Sequence, residues 1–140
     1  MLTYRTPNSF DERFNRTKND EKNMYNIENW LMHHGKKLNN RFKLEAYIFM
    51  NHLLSSVNIT RSLNSFEQII KKIKSSIHLI AIDSDLYFFS YQDKLTFEKI
   101  KKNKKNIFYN EIKSIHGHDA FLIENIKMSK ILKPIFNIKK

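Results

Sequence analysis

The 140-residue sequence contains no cysteine, only one tryptophan, and just two glycines and two prolines. Without cysteine there can be no disulfide, no thiolate metal site and no thiol nucleophile. No run of about 18 apolar residues occurs, so no segment reads as a transmembrane helix and no membrane partner is expected. Residues 1–5 lack the basic-then-apolar layout of a secretory leader, which makes a cytoplasmic protein the expectation. Apolar residues make up 41% of the chain, enough for one small domain or a piece of a larger one.

Charge of one sign is plentiful. A net charge of +11 and a pI near 9.8 raise the possibility of a non-catalytic basic module that binds nucleic acid. Composition offers a plainer cause. Lysine (20), asparagine (16) and isoleucine (18) together supply 54 of 140 residues, while arginine (5) and glycine (2) are scarce. That is the imprint of an AT-biased genome on any protein. The lysines are scattered apart from Lys101, Lys102, Lys104 and Lys105, and one tryptophan offers little for base stacking. No nucleic-acid partner is therefore expected.

Residues 1–40 are polar, with two weak helical stretches. The first spans about residues 9–15, with a Ser9-x-x-Glu12 capping box and Phe10 and Phe14 on one face. The second carries Ile27, Trp30 and Leu31 and is expected to stop near Gly35. Residues 41–57 give the clearest helix: Ala46, Met50, Leu53 and Val57 recur at helical spacing, and Tyr47, Phe49 and Leu54 widen the stripe. Another helix is expected over residues 65–74, capped by Ser65-x-x-Gln68 and turning Phe66, Ile69, Ile70 and Ile73 inward.

Then the period changes. Residues 77–82 form a short, nearly continuous apolar run rich in β-branched residues, as in a strand buried on both faces of a parallel sheet. A helix follows over residues 90–103, with a Ser90-x-x-Asp93 capping box and a lysine-rich end suited to its negative pole. Residues 107–112 read as a second strand. A loop holding His116, Gly117, His118 and Asp119 leads to a last helix from Ala120 to about Leu132, with Pro134 just beyond. Strand, helix, strand, helix is an α/β signature, and two parallel strands are too few to bury both faces alone.

Functional groups of open α/β sheets gather at the carboxyl ends of strands. Asp85 falls just past the first strand and His118 just past the second, 33 residues apart. That is the Asp-then-His half of a Ser, Asp, His triad. The carboxylate would fix the imidazole tautomer and stabilise the cation formed when the histidine takes a proton. Gly117 would let the loop backbone turn beside it. Two polar residues after strands can also be a turn cap and a surface side chain. A metal site drawn from His33, His34, His116, His118 and Asp119 is the weaker alternative: adjacent histidines point to different sides of a helix, and His-x-His supplies two ligands.

Residues 117–122, Gly-His-Asp-Ala-Phe-Leu, resemble the stretch around the catalytic histidine of homoserine O-acetyltransferases. Asp83, Ser84, Asp85, Leu86 and Tyr87 resemble the segment around that family's catalytic aspartate. Upstream, residues 1–6 (Met-Leu-Thr-Tyr-Arg-Thr) with Phe10, Arg13 and Phe14 are similar to a Tyr-Arg-Thr…Phe…Arg-Phe stretch. Residues 27–31, Gly35, Lys36, Lys37, Arg41, Phe42 and Tyr47 follow the next block. The resemblance implies the C-terminal portion of an α/β-hydrolase fold, the last two parallel strands with flanking helices, preceded by part of a helical lid. The implied division is residues 1–74 for the lid region and connecting helix, and 75–140 for the end of the core.

The resemblance further implies transfer of acetyl from acetyl-CoA to homoserine, a step of methionine synthesis. Asp85 would orient the base and His118 would serve as general acid/base. Asp119 would contact the substrate ammonium, or alternatively cap the last helix. Acetyl-CoA is a co-substrate, and no cofactor or metal is implied. The family's nucleophile sits in a Gly-x-Ser-x-Gly elbow. With glycine only at 35 and 117, this chain has no such elbow and no nucleophile. It is expected to be inactive alone and to need an N-terminal half bearing the serine, with a homodimer through the lid as a further expectation.

Overall fold

The computed structural model describes residues 2–21, 23–61 and 65–136, Leu2 by its backbone only. Met1, where the resembling stretch begins, lies outside the described residues. Among the described residues, eleven α-helices and β-strands follow in chain order: α1 (Pro7–Phe14), β1 (Lys18–Asn19), β2 (Met24–Tyr25), α2 (Asn26–Arg41), α3 (Leu44–Ser56), α4 (Phe66–Lys72), β3 (Ile77–Ile82), α5 (Ser90–Lys101), β4 (Ile107–Ile112), α6 (Ala120–Ile123) and α7 (Asn125–Phe136), with short 3-10 helices at Leu2–Tyr4 and Gly117–Asp119. They form two compact units. One joins the chain up to Phe10 with the chain from Ser65 onward; the other is Asp11–Asn64. The first unit is therefore discontinuous in sequence, whereas the expected division was a single cut at residue 74.

The first unit is a mixed α/β structure around a two-stranded parallel sheet. β3 and β4 pair in register from Ile77 with Ile107 to Ile82 with Ile112. Side chains of a strand alternate between faces, and the two faces are covered differently. Ile77, Leu79 and Ile107 pack with Phe66, Ile70 and Ile73 of the α4 segment and Phe97 and Ile100 of α5. Ile80, Ile82 and Ile112 pack on the opposite face with Ala120 of α6 and Met128 and Ile131 of α7. Helices on both faces explain why β3 reads as a nearly continuous apolar run, whereas β4 carries Asn110 and Glu111 near its end. The coverage is partial, however: Ile77, His78, Leu79 and Ile80 stay half-buried.

Helix ends test the expected caps. Ser65 caps α4 as expected, with its hydroxyl on the Gln68 amide and Gln68 reaching back to the Ser65 amide. Ser9 and Ser90 do not cap. Thr6 opens α1, its hydroxyl accepting from the Ser9 amide at 3.1 Å, and Pro7 takes the first helical position, where its missing N–H costs nothing. Phe89 precedes α5 without a side-chain cap, because Ser90 is already helical. α5 does close in lysines, Lys99 and Lys101.

Two expected helix limits also move. α2 continues through Gly35 to Arg41; glycine lowers helix propensity without breaking a helix, and the space around this one is open. The last helix is instead two. α6 closes when the Glu124 amide bonds to the Ala120 carbonyl at 2.8 Å, and α7 then runs to Phe136 with Pro134 inside it. A proline so near a helix end forfeits one hydrogen bond rather than many.

The second unit holds α2, α3 and the short antiparallel pair β1–β2. Glu28 bonds back to the Tyr25 amide at the start of α2. α3 occupies most of the expected 41–57 stretch, but its stripe is not buried. Ala46, Tyr47, Phe49, Met50, Leu53, Leu54 and Val57 are all exposed. The periodicity correctly signals a helix; the surface it was shaped to meet is not supplied by the described residues. Ile107→Ala, which empties a packed site, should lower stability by about 2–5 kcal/mol. Leu54→Ala on exposed α3 should stay within about 0.5 kcal/mol. Urea unfolding of the two variants checks both.

Candidate active site

Parallel pairing brings the carboxyl ends of β3 and β4 side by side, and a lattice of hydrogen bonds ties the loops beyond them. The Asp83 amide extends the ladder to the Ile112 carbonyl at 3.1 Å, and its carboxylate accepts from the Ser114 amide at 2.9 Å. The Ser84 hydroxyl donates to the Ser114 carbonyl and accepts from the Gly117 amide at 3.1 Å. Asp85 and His118 therefore leave the sheet from fixed positions.

They meet. Asp85 Oδ2 lies 2.8 Å from His118 Nδ1. Its other oxygen, Oδ1, accepts from the amides of Tyr87 at 2.7 Å and Phe88 at 3.0 Å. Asp85 is 6% exposed, so the turn that follows β3 uses one oxygen to hold the carboxylate and leaves the second for the imidazole. A carboxylate only accepts, so Nδ1 carries the proton, which leaves Nε2 as the nitrogen whose lone pair can take one.

Four aromatic rings surround the imidazole: Tyr4 at 5.2 Å, Phe88 at 5.4 Å, Tyr87 at 5.5 Å and Phe121 at 5.6 Å between centroids. All four are themselves substantially exposed, so this end of the sheet is apolar and open outward. No helical period marks these four in the sequence, which is why the collar went unanticipated. The resembling Tyr-Arg-Thr and Gly-His-Asp-Ala-Phe-Leu stretches were the available signal.

Asp119 lies at the start of α6 but makes no side-chain cap bond there. Its Oδ2 instead accepts from Arg5 Nε at 3.2 Å. The capping alternative thus gives way to an ion pair with a residue 114 positions away. His116 turns from His118 to Ser9, Oγ to Nδ1 2.9 Å. His33 and His34 sit together on α2, their rings edge to face at 5.3 Å. Among the described residues, no three His, Cys, Asp or Glu side chains form a group able to hold a metal.

Acidic groups of this unit are shifted from their ordinary values. Burial raises the Asp93 carboxyl above its ordinary value, and the nearby charge of Asp85 raises it further. Burial and the hydrogen bond to Glu111 push the Tyr109 phenol up to about 12. Hydrogen bonds from Lys127 and Ser114 lower Glu124. In the lysine run, Lys104 is buried and donates to the Ile73 carbonyl at 2.6 Å, so it is no part of a surface patch. No described helix is long and apolar enough to cross a membrane.

With this geometry in place, the chain can be set beside known proteins. The chain is 36% identical over 140 residues to a homoserine O-acetyltransferase of Carboxydothermus hydrogenoformans, covering 94% of this chain and 37% of that protein. It is 31% identical to one from Methanococcus vannielii, covering 99% of the chain and 29% of the relative, and 31% identical to one from Nostoc punctiforme, covering 95% and 37%. The chain is a relative of the homoserine O-acetyltransferases. It spans about a third of the length of the curated relatives it matches, consistent with a C-terminal part. No protein-family model matches the chain.

The site generates one contrast between the two glycines. Gly117 has φ +64°, and a Cβ there would lie 3.0 Å from the Tyr4 carbonyl oxygen. Gly117→Ala should destabilise by about 1–2 kcal/mol or more. Gly35→Ala, in an open helix interior, should stabilise by about 0.5–1 kcal/mol. Thermal unfolding of both variants checks the opposite signs.

Proposed function

We propose that this chain supplies the acid/base half of a homoserine O-acetyltransferase active site. The 2.8 Å contact between Asp85 and His118 is the observation that carries the reading. Its position past two adjacent parallel strands supports an α/β-hydrolase core for residues 75–140, and residues 1–74 would contribute part of a helical lid. In this reading His118 Nε2 takes a proton from a serine hydroxyl as that oxygen attacks the thioester of acetyl-CoA. The C–S bond breaks, and the leaving thiolate receives the proton from the imidazolium. Homoserine's hydroxyl then yields its proton to Nε2 and attacks the acyl-serine, and the proton returns to the serine.

Asp85 keeps the tautomer and balances the transient cation throughout. Asp119, one residue from the base and anionic, would hold the substrate ammonium. The aromatic collar would keep water from the acyl group. Nothing in the sequence can serve as the elbow serine, so the serine, the oxyanion donors and the substrate-carboxylate site belong to another segment, and this chain alone does not transfer acetyl. The exposed stripe of α3 suits a subunit contact through the lid. A cytoplasmic setting fits the small-molecule substrates.

Co-expression with the serine-bearing segment of the Carboxydothermus relative tests this, with O-acetylhomoserine as the readout. The pair should be active and the 140-residue chain alone inactive. Asp85→Asn should lower kcat by about 10⁴-fold, because the amide imposes the wrong tautomer. Asp119→Asn should raise KM for homoserine roughly tenfold or more, the loss of one charge-assisted contact. Full activity in His118→Ala would overturn the assignment.

A further inference from the structure

The histidine loop is held from a place remote in sequence. Arg5 is largely buried and uses its guanidinium in two directions: Nε donates to Asp119 Oδ2 at 3.2 Å, and Nη1 donates to Ser9 Oγ at 3.2 Å. Ser9, 1% exposed, passes the connection on to His116 Nδ1 at 2.9 Å. Between these anchors lie Gly117 and His118 alone. The Thr6 hydroxyl adds a bond to the Ile115 carbonyl, and the Tyr4 carbonyl stands where only a glycine fits at 117. One cation is thus tied to both flanks of His118, directly to Asp119 and through Ser9 to His116.

We propose that Arg5 is a positioning residue for His118, acting through Asp119 on one side and through Ser9 and His116 on the other. Asp85 fixes the imidazole at Nδ1 but touches no loop backbone next to it. A two-residue span bearing a glycine at positive φ has more backbone freedom than its neighbours. Ser84 holds the Gly117 amide from the first strand's side, and among the described side-chain bonds the one residue linked to both flanks, directly to Asp119 and through Ser9 to His116, is Arg5. The planar fork is what the arrangement needs, since its N–H groups leave in fixed, different directions; a lysine ammonium at the same place is a single point charge. Arg5 also fixes which way Asp119 turns, occupying Oδ2.

The inference rests on His118 being the base, but not on the identity of the substrate. The readout is accordingly the imidazole itself. In the 140-residue chain, solvent exchange of the His118 Nδ1 proton, followed by NMR, reports how often the Asp85–His118 bond opens. Arg5→Ala and Arg5→Lys should both speed that exchange by roughly tenfold or more, the equivalent of one charged hydrogen bond. Ser9→Ala should do so to a smaller extent. Asp119→Asn keeps an acceptor for Nε but loses the charge, and should speed exchange less than Arg5→Ala does.

Backbone amides of β3 and β4 separate positioning from mere stability: they should exchange at unchanged rates in Arg5→Lys. If exchange at His118 is unaltered in both Arg5 variants, or if Arg5→Lys restores it fully, the proposal fails. Should Arg5→Ala not fold, Arg5→Lys and Ser9→Ala decide on the same signal. Failure of acetyl transfer in the reconstituted pair, with the exchange pattern as expected, would count against the substrate and not against the positioning role.

Discussion

Six residue pairs in parallel register, from Ile77 with Ile107 to Ile82 with Ile112, are what the rest of this molecule depends on. Parallel strands end at the same edge of a sheet, so residues 33 apart in sequence emerge together. An antiparallel pairing of the same two strands would put Asp85 and His118 at opposite ends. Register matters as much as direction. A slip of one residue would exchange the faces, turning Ile112 away from Ala120 and Ile82 and Ile107 away from Ile70 and Ile100. The apolar clusters on the two faces therefore select the same register that brings the carboxylate to the imidazole. Packing and chemistry are specified by one set of isoleucines.

The strands and the α4 cap were legible because their signals are local. A short isoleucine-rich run bounded by turn residues reads as a strand, and Ser65 and Gln68 satisfy each other within a single turn. Asp85 and His118 could be named from their places after the strands together with the resembling stretches. What could not be read from residue pattern was every contact that crosses the chain. Nothing near Arg5 signals an aspartate 114 residues on, and nothing near Ser9 signals His116. Ser9-x-x-Glu12 and Ser90-x-x-Asp93 fit the capping-box spacing, but Thr6-Pro7 and Phe89 came one to three residues earlier and set the helix starts. Spacing rules say that a cap can form, and tertiary contacts decide which of several eligible residues does.

The same distinction bears on α3. Its apolar spacing is the pattern of a helix packed along one face, and a helix of 13 residues draws most of its stability from such packing rather than from propensity. Exposed Met50, Leu53 and Leu54 are thus consistent with a correctly read pattern. The sheet tells the same story from the other side. Ile77, Leu79 and Ile80 are half-buried although their sequence reads as fully enclosed, and a two-stranded sheet has an unpaired edge on each strand.

Both incompletenesses agree with the length comparison, in which the chain accounts for about a third of each relative. Yet the groups around His118 are not left half-satisfied. Asp85 is engaged at both oxygens, Arg5 joins Asp119 to Ser9, and no buried side-chain polar atom among the described residues lacks a partner. Apolar surface left uncovered costs in proportion to its area, whereas a buried ionic or polar group left unpaired costs several kcal/mol at a single point. A chain that must wait for a covering surface can leave isoleucines and methionines exposed, but it has to complete its buried polar network by itself. The Asp85–His118 pair and the Arg5 bonds to Asp119 and Ser9 are that completed network, so the geometry around His118 is held by this chain's own residues.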